Sequence, residues 1–277
     1  MKVFIQRKPI LFGLLTSTLI MLIFILSGIF ITIQEYQKEI DIIYRFLFSL
    51  PMLYCIKQLY GYKNYKEIFS WKGTRKGLLA SQGIILISLL CILPEFWGKI
   101  FNKAFMNTAF LMIMQQIGTG LFEEGVFRGL LMGGMLQKWS HSIRGKIGMV
   151  LISGISFGLL HFMNFFSGSP LNSVLYNMLF ASIFGIVFAS SYLYSKNLLI
   201  TIIIHAVYDI ITHSKGQLFL IGISDSHFWD LYSKVYNFIL YIYIPLIALF
   251  FTIKAKPWGT NANISIETNH ENLLDSI

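Results

Sequence analysis

The sequence predicts an all-α, polytopic membrane helix bundle of about eight transmembrane helices. Three observations carry that expectation. The chain is 55% hydrophobic, with mean hydropathy +0.65 and 13% charged residues, where soluble domains carry roughly 25%. Apolar runs long enough to cross a bilayer recur along the chain. The basic residues between those runs gather on one side when alternate loops are given to opposite faces.

The runs fall at 10–33, 42–60, 77–94, 111–137, 147–165, 172–194, 197–213 and 235–253. Lys2, Arg7 and Lys8 precede the first run, as in a signal peptide. The run is too long for a signal h-region and no small-x-small cleavage site follows, so it reads as an uncleaved span. The segment 104–110 extends the fourth span or lies along the interface. The seventh is the shortest.

With the N-terminus inside, the inner loops hold Lys2, Arg7, Lys8, Lys63, Lys66, Lys72, Arg75, Lys76, Lys138, Arg144, Lys146, Lys196, Lys254 and Lys256. The outer loops hold only Lys38, Lys99, Lys103, Lys215 and Lys234. Arg45, Lys57 and Arg128 fall inside spans. Positive residues favour the cytoplasm, so both termini are expected there. The net charge of +9 therefore reads as topology, not as a nucleic-acid surface. The Ile-, Lys-, Asn- and Phe-rich composition suggests a bacterial cytoplasmic membrane. Trp71, Trp97, Trp139, Trp229 and Trp258 fall in loops or at span ends, and several suit an interfacial belt. Cys55 and Cys91 lie inside spans and define neither a disulfide framework nor a metal site.

The chain then divides into N-terminal spans over 1–104, a motif-bearing core over 105–215, an outer loop and last span over 216–256, and a polar, mobile cytoplasmic tail over 257–277. Membrane lipid surrounds it, and no nucleic-acid partner is expected.

Function is concentrated in a few polar residues within apolar runs. Glu123 and Glu124 sit side by side in the fourth. One charge at the centre of a span costs about 2.5–3.5 kcal/mol even on mild insertion scales. Neighbours on a helix point about 100° apart, so the two carboxylates serve different roles. Arg128 lies four residues after Glu124, in the favourable Glu-first order. An internal ion pair explains both residues, and Glu123 is left to face elsewhere. Phe157 and His161 share a face of the fifth span, and His205 and Asp209 share a face of the seventh. At 1.5 Å per residue, Glu123 lies roughly 18 Å into its span, His161 about 21 Å, and His205 with Asp209 about 12–18 Å. These depths overlap, so the groups can converge if the spans pack together. Glycines such as Gly118, Gly120, Gly154 and Gly158 permit close helix approach. Asn164, Gln115 and Gln116 read as interhelical hydrogen-bonding residues, and Phe157 as packing.

A carboxylate held out of water beside an imidazole can activate a water molecule. A second histidine opposite can stabilise an oxyanion. Together these fit hydrolysis of a peptide bond inside a membrane cavity. Glu123, His161 and His205 are also the chemical types that hold Zn²⁺, so zinc stays open.

The ordered set EExxxR (Glu123, Glu124, Arg128), FxxxH (Phe157, His161) and HxxxN/D (His205, Asp209) resembles the CPBP family, also called the CAAX protease and bacteriocin-processing, or Abi, family. The resemblance covers roughly residues 105–215. It implies an intramembrane endopeptidase acting on a membrane-associated peptide or protein. It carries the water-activating role to Glu123 and His161, and the oxyanion side to His205 and Asp209. It favours a metal-free glutamate mechanism and a link to bacteriocin or pheromone processing or self-immunity. Cleavage near the cytoplasmic side is the expectation. Asp stands where Asn is often found, and an ionised Asp209 cannot donate to an oxyanion. Two rival readings are a non-enzymatic immunity or scaffold protein and an ion-coupled transporter. The second predicts internal repeats, and the halves of this chain show no clear repeat.

Overall fold

The computed structural model describes residues 2–30, 37–92, 103–166, 168–213 and 226–258. Residues 216–225 of the expected outer loop and residues 259–277 of the expected tail lie outside the described residues. So do Trp97 and the side chains of His213, His227 and Trp229.

Every regular element among the described residues is helical. The order is α1 (Lys2–Arg7), α2 (Pro9–Phe30), α3 (Gln37–Ile68), α4 (Thr74–Ala80), α5 (Gln82–Ile92) and α6 (Lys103–Glu124). A π-helical stretch, π1 (Gly125–Met132), continues α6 into α7 (Gly133–Trp139). Then come α8 (Ile143–Leu160), α9 (Met163–Phe166), α10 (Leu171–Ser195), α11 (Leu198–His213) and α12 (Ser226–Phe238). A second wide stretch, π2 (Ile239–Tyr243), leads into α13 (Ile244–Lys254).

Each of the eight expected runs is helical where described, but eight spans are not reached. Among the described residues four helices are long and apolar enough to cross a membrane: Pro9–Leu26, Ile143–Phe166, Leu171–Ser195 and Asp230–Lys254. A fifth forms if α4 and α5 count as one span. That pair bends by 65°. Ser81 sits at the break, fully buried, and its hydroxyl bonds Ser191 Oγ at 2.9 Å. The expected second span ends at Gly61, whose φ of 72° interrupts α3. The glutamate-bearing run is divided by π1 and carries the polar side chains of the site. Helix α11 has 16 residues.

Leucines 14, 15, 19 and 22 of α2 and Leu246 and Leu249 of α13 are exposed. Helical backbone satisfies its own polar groups, so such apolar faces suit lipid. Inside the bundle, α8 packs most extensively on α10, and α6 on α11 and α3. Glycine sets two of these approaches. A Cβ on Gly185 would lie 2.8 Å from the Gly154 carbonyl oxygen, and one on Gly120 2.9 Å from that of Ile202. The second contact brings α11 against α6, four residues from Glu124.

Candidate active site

Glu124 is fully buried at the end of α6, where the backbone widens into π1. All eight residues of π1 are buried. Such wide turns recur at functional sites because they re-aim side chains. Ser153 Oγ of α8 donates to the carbonyl of Phe127 at 3.1 Å within this stretch.

The expected ion pair is present. Arg128 Nη1 lies 3.1 Å from Glu124 Oε1, with both side chains wholly buried. Arg128 Nη2 donates to the Gly185 carbonyl at 2.8 Å. Its guanidinium carbon sits 4.8 Å from the Phe157 ring centroid and 5.5 Å from that of Phe188.

Glu124 has a second partner that the sequence reading missed. Its Oε1 also bonds His205 Nδ1 at 2.9 Å. Glu124 is therefore not only the counter-ion of Arg128; it fixes the imidazole of α11. Spacing along one helix exposed the Arg128 contact, whereas the His205 contact spans 81 positions of sequence. Phe188 stacks on the His205 ring at 4.9 Å and 18°, and Phe157 meets it edge-on at 5.7 Å. Phe157 is thus a wall for His205 as well as for His161, whose ring centroid is 5.4 Å away.

With Nδ1 held, His205 Nε2 faces the remaining carboxylates. It lies 3.4 Å from Asp209 Oδ2 and 3.7 Å from Glu123 Oε2. The expected shared face of His205 and Asp209 is present, and Glu123 has its neighbour across the helix interface.

Glu123, His161, His205 and Asp209 line one cavity of about 370 Å³. Gln115, Gln116 and Asn164 line it too, and Gln115 Nε2 also makes an expected interhelical bond, donating to Asp41 Oδ2 of α3 at 2.8 Å. The cavity runs from mid-bundle toward the end where α3, α6 and α10 begin and α8 and α11 finish. His161 lies within the expected span, Ile143–Phe166, at a break between α8 and α9. It caps the C-terminus of α8 with φ −69° and ψ −9°, and its Nδ1 lies 3.2 Å from the Phe157 carbonyl oxygen. Arg45 also lines the cavity and was left unassigned by the sequence reading. Its signal was an arginine inside an apolar run.

Glu123, His161 and His205, the set named for zinc, line the same cavity. No group of three or more His, Cys, Asp or Glu among the described residues is arranged to hold a metal ion.

Residues 105–211 match the sequence model of a family described as Rce1-like, type II CAAX prenyl endopeptidase. This stretch of the chain is thus similar to the CPBP, or CAAX protease, family, and the match supports the resemblance that the motifs carry. No curated protein and no solved structure matches it. The matched stretch holds the CPBP motifs EExxxR, FxxxH and HxxxD, and its ends coincide with α6 and α11. The match, with helices apolar enough to span a membrane, supports an integral membrane protein and implies the intramembrane-protease class, with a membrane-associated peptide or protein as substrate.

Proposed function

We propose that the chain is a glutamate-dependent intramembrane endopeptidase needing no metal. The observation that carries this reading is the fixed imidazole of His205. Its Nδ1 is held by Glu124 at 2.9 Å, and its Nε2 faces Glu123 and Asp209 across an open cavity.

Glu123, assisted by His161, takes a proton from a water molecule as the water oxygen bonds the scissile carbonyl carbon. The carbonyl oxygen becomes an oxyanion and accepts from His205 Nε2–H. Collapse breaks the C–N bond, and Glu123 returns the proton to the leaving nitrogen. Asp209 need not donate. At 3.4 Å from Nε2 it offsets the charge on a doubly protonated His205.

The substrate we propose is a small membrane-associated peptide, such as a bacteriocin or pheromone precursor. The charge bias supports both termini on the cytoplasmic side. The cavity lies in the opposite halves of the helices, so it opens toward the other face. On this reading the peptide enters from the outer side, in place of the expected cleavage near the cytoplasm.

The test uses purified chain in nanodiscs and a library of apolar peptides. Wild type is expected to cleave. Glu123→Gln and His161→Ala should lose cleavage while melting at the wild-type temperature. Folded variants that retain full cleavage would sink the assignment. Zinc content, with activity before and after chelation, tests the metal-free mechanism; loss on chelation and recovery with zinc would overturn it.

A further inference from the structure

Arg45 stands out as a cation the mechanism does not use. It sits eight residues into α3, roughly 12 Å along the helix axis. It is the only Lys or Arg among the described residues that line the catalytic cavity. Helices α3 and α6 are in close contact at this level. A Cβ on Gly118 would lie 3.3 Å from the Arg45 Cβ.

The side chain is held from behind. Arg45 Nε donates to Asp41 Oδ2 at 2.9 Å. The same oxygen accepts from Gln115 Nε2 of α6 at 2.8 Å. Asp41 thus ties the arginine to a second helix through a residue that itself lines the cavity. A bond at Nε uses one of five guanidinium donors and leaves the outer nitrogens to form the fork that grips a carboxylate. A simple i, i+4 pair would explain Asp41 with Arg45. It would not explain why Gln115 joins from another helix, or why the arginine borders a cavity shared with Glu123.

We infer that Arg45 is a specificity-determining residue that binds a carboxylate of the peptide substrate, in the same cavity as the bond that Glu123 attacks. This rests on the endopeptidase reading above and names the substrate class within it: peptides with an anionic group a few residues from the scissile bond. The carboxylate comes from the peptide C-terminus or from an Asp or Glu side chain. Asp41 is a positioning residue, since it touches Arg45 and not the peptide.

Binding tests this without turnover. Full-length Glu123→Gln protein in nanodiscs is titrated with three fluorescent peptides of sequence Leu-Ile-Phe-Ala-Ala. The first has a free C-terminus, the second a C-terminal amide, and the third an amide with Glu replacing the penultimate Ala. The free acid is expected to bind at least about tenfold tighter than the plain amide, a difference of about 1.4 kcal/mol. Tight binding of the third peptide instead identifies a side-chain carboxylate as the source. Adding Arg45→Gln should erase either preference and leave the plain amide's affinity unchanged. Arg45→Lys keeps the charge without the fork and should keep only part of the preference. Asp41→Asn should weaken it while leaving the plain amide alone. Equal binding of all three peptides, or a preference that survives Arg45→Gln in protein with the parent melting temperature, overturns the proposal. Because no cleavage is read, loss of the endopeptidase reading and loss of this one give different results.

Discussion

Arg128 in mid-bundle and Lys146 at the far end are both buried cations, and their partners differ. Arg128 is fully buried and meets a carboxylate, Glu124, which also holds His205. Lys146, 7% exposed, donates to a backbone carbonyl, that of Ala255. Lys196 nearby does the same to Pro257 at 2.9 Å. Burial, with Lys76 and Lys256 near it, lowers the pKa of the Lys196 ammonium. Helix ends supply free carbonyls, so a lysine there needs no acid. The middle of a helix has its carbonyls already engaged, and although Gly185 shares its oxygen with Arg128 Nη2, the charge there also needs a counter-charge. At the lysine-rich end the charges close the bundle. In mid-bundle they build a site.

The comparison is broken most completely by sidedness. Gln115→Cys on the cavity and Lys76→Cys at the lysine-rich end, each in a Cys55→Ser, Cys91→Ser background, can be labelled in intact cells. A membrane-impermeant maleimide is expected to mark Gln115→Cys and to mark Lys76→Cys only after lysis. The reverse pattern would invert the proposed topology.

Within the site, the two adjacent glutamates should separate. Glu123→Gln is expected to lower kcat/KM by about 10²–10⁴-fold, the usual range for a lost general base, with little change in melting. Peptide-cleavage kinetics and a thermal melt on one preparation would show it. Arg128→Met leaves Glu124 buried without its cation. It should cost about 3–5 kcal/mol of stability, the range for breaking a buried pair. A fall in melting temperature no larger than that of a surface control would mean that His205 alone sustains Glu124.

Lys146→Gln at the other end should cost less, about 1–3 kcal/mol for one charged hydrogen bond to a carbonyl. Its kcat/KM should equal wild type. A change in activity comparable to that of Glu123→Gln would show that the two ends are coupled.

Much of the fold was legible because apolar runs and loop charges are local signals. Helices form at each expected run, and Glu124 and Arg128 pair as one-helix spacing requires. The span count was not legible. Run length is blind to the bend at Ser81 and to the left-handed Gly61. His161 was placed correctly within its span and on the cavity, but the helix break there was not legible, since no Gly or Pro follows Leu160 as a stop signal before Gly168. Phe188 escaped because it stands in no spaced motif with a polar residue of the site, and Arg45 because its i, i+4 partner Asp41 reads as a simple surface pair until Gln115 of another helix joins it.

By itself the sequence determined that the chain is helical and apolar enough for a membrane, that Glu124 answers Arg128, and that His205 shares a face with Asp209. These follow from composition and from spacing along single helices, which the 3.6-residue turn converts into faces. That Glu123, His161, His205 and Asp209 form one set was implied by the family resemblance of the ordered motifs. Only the tertiary structure decided what Glu124 does with its other contact, which nitrogen of His205 faces Glu123, and that Arg45 reaches the cavity. Those depend on how closely α6 approaches α11 and α3, and on the backbone widening after Glu124. The approach is set by glycines whose neighbours are distant in sequence, and no one-helix pattern reports it.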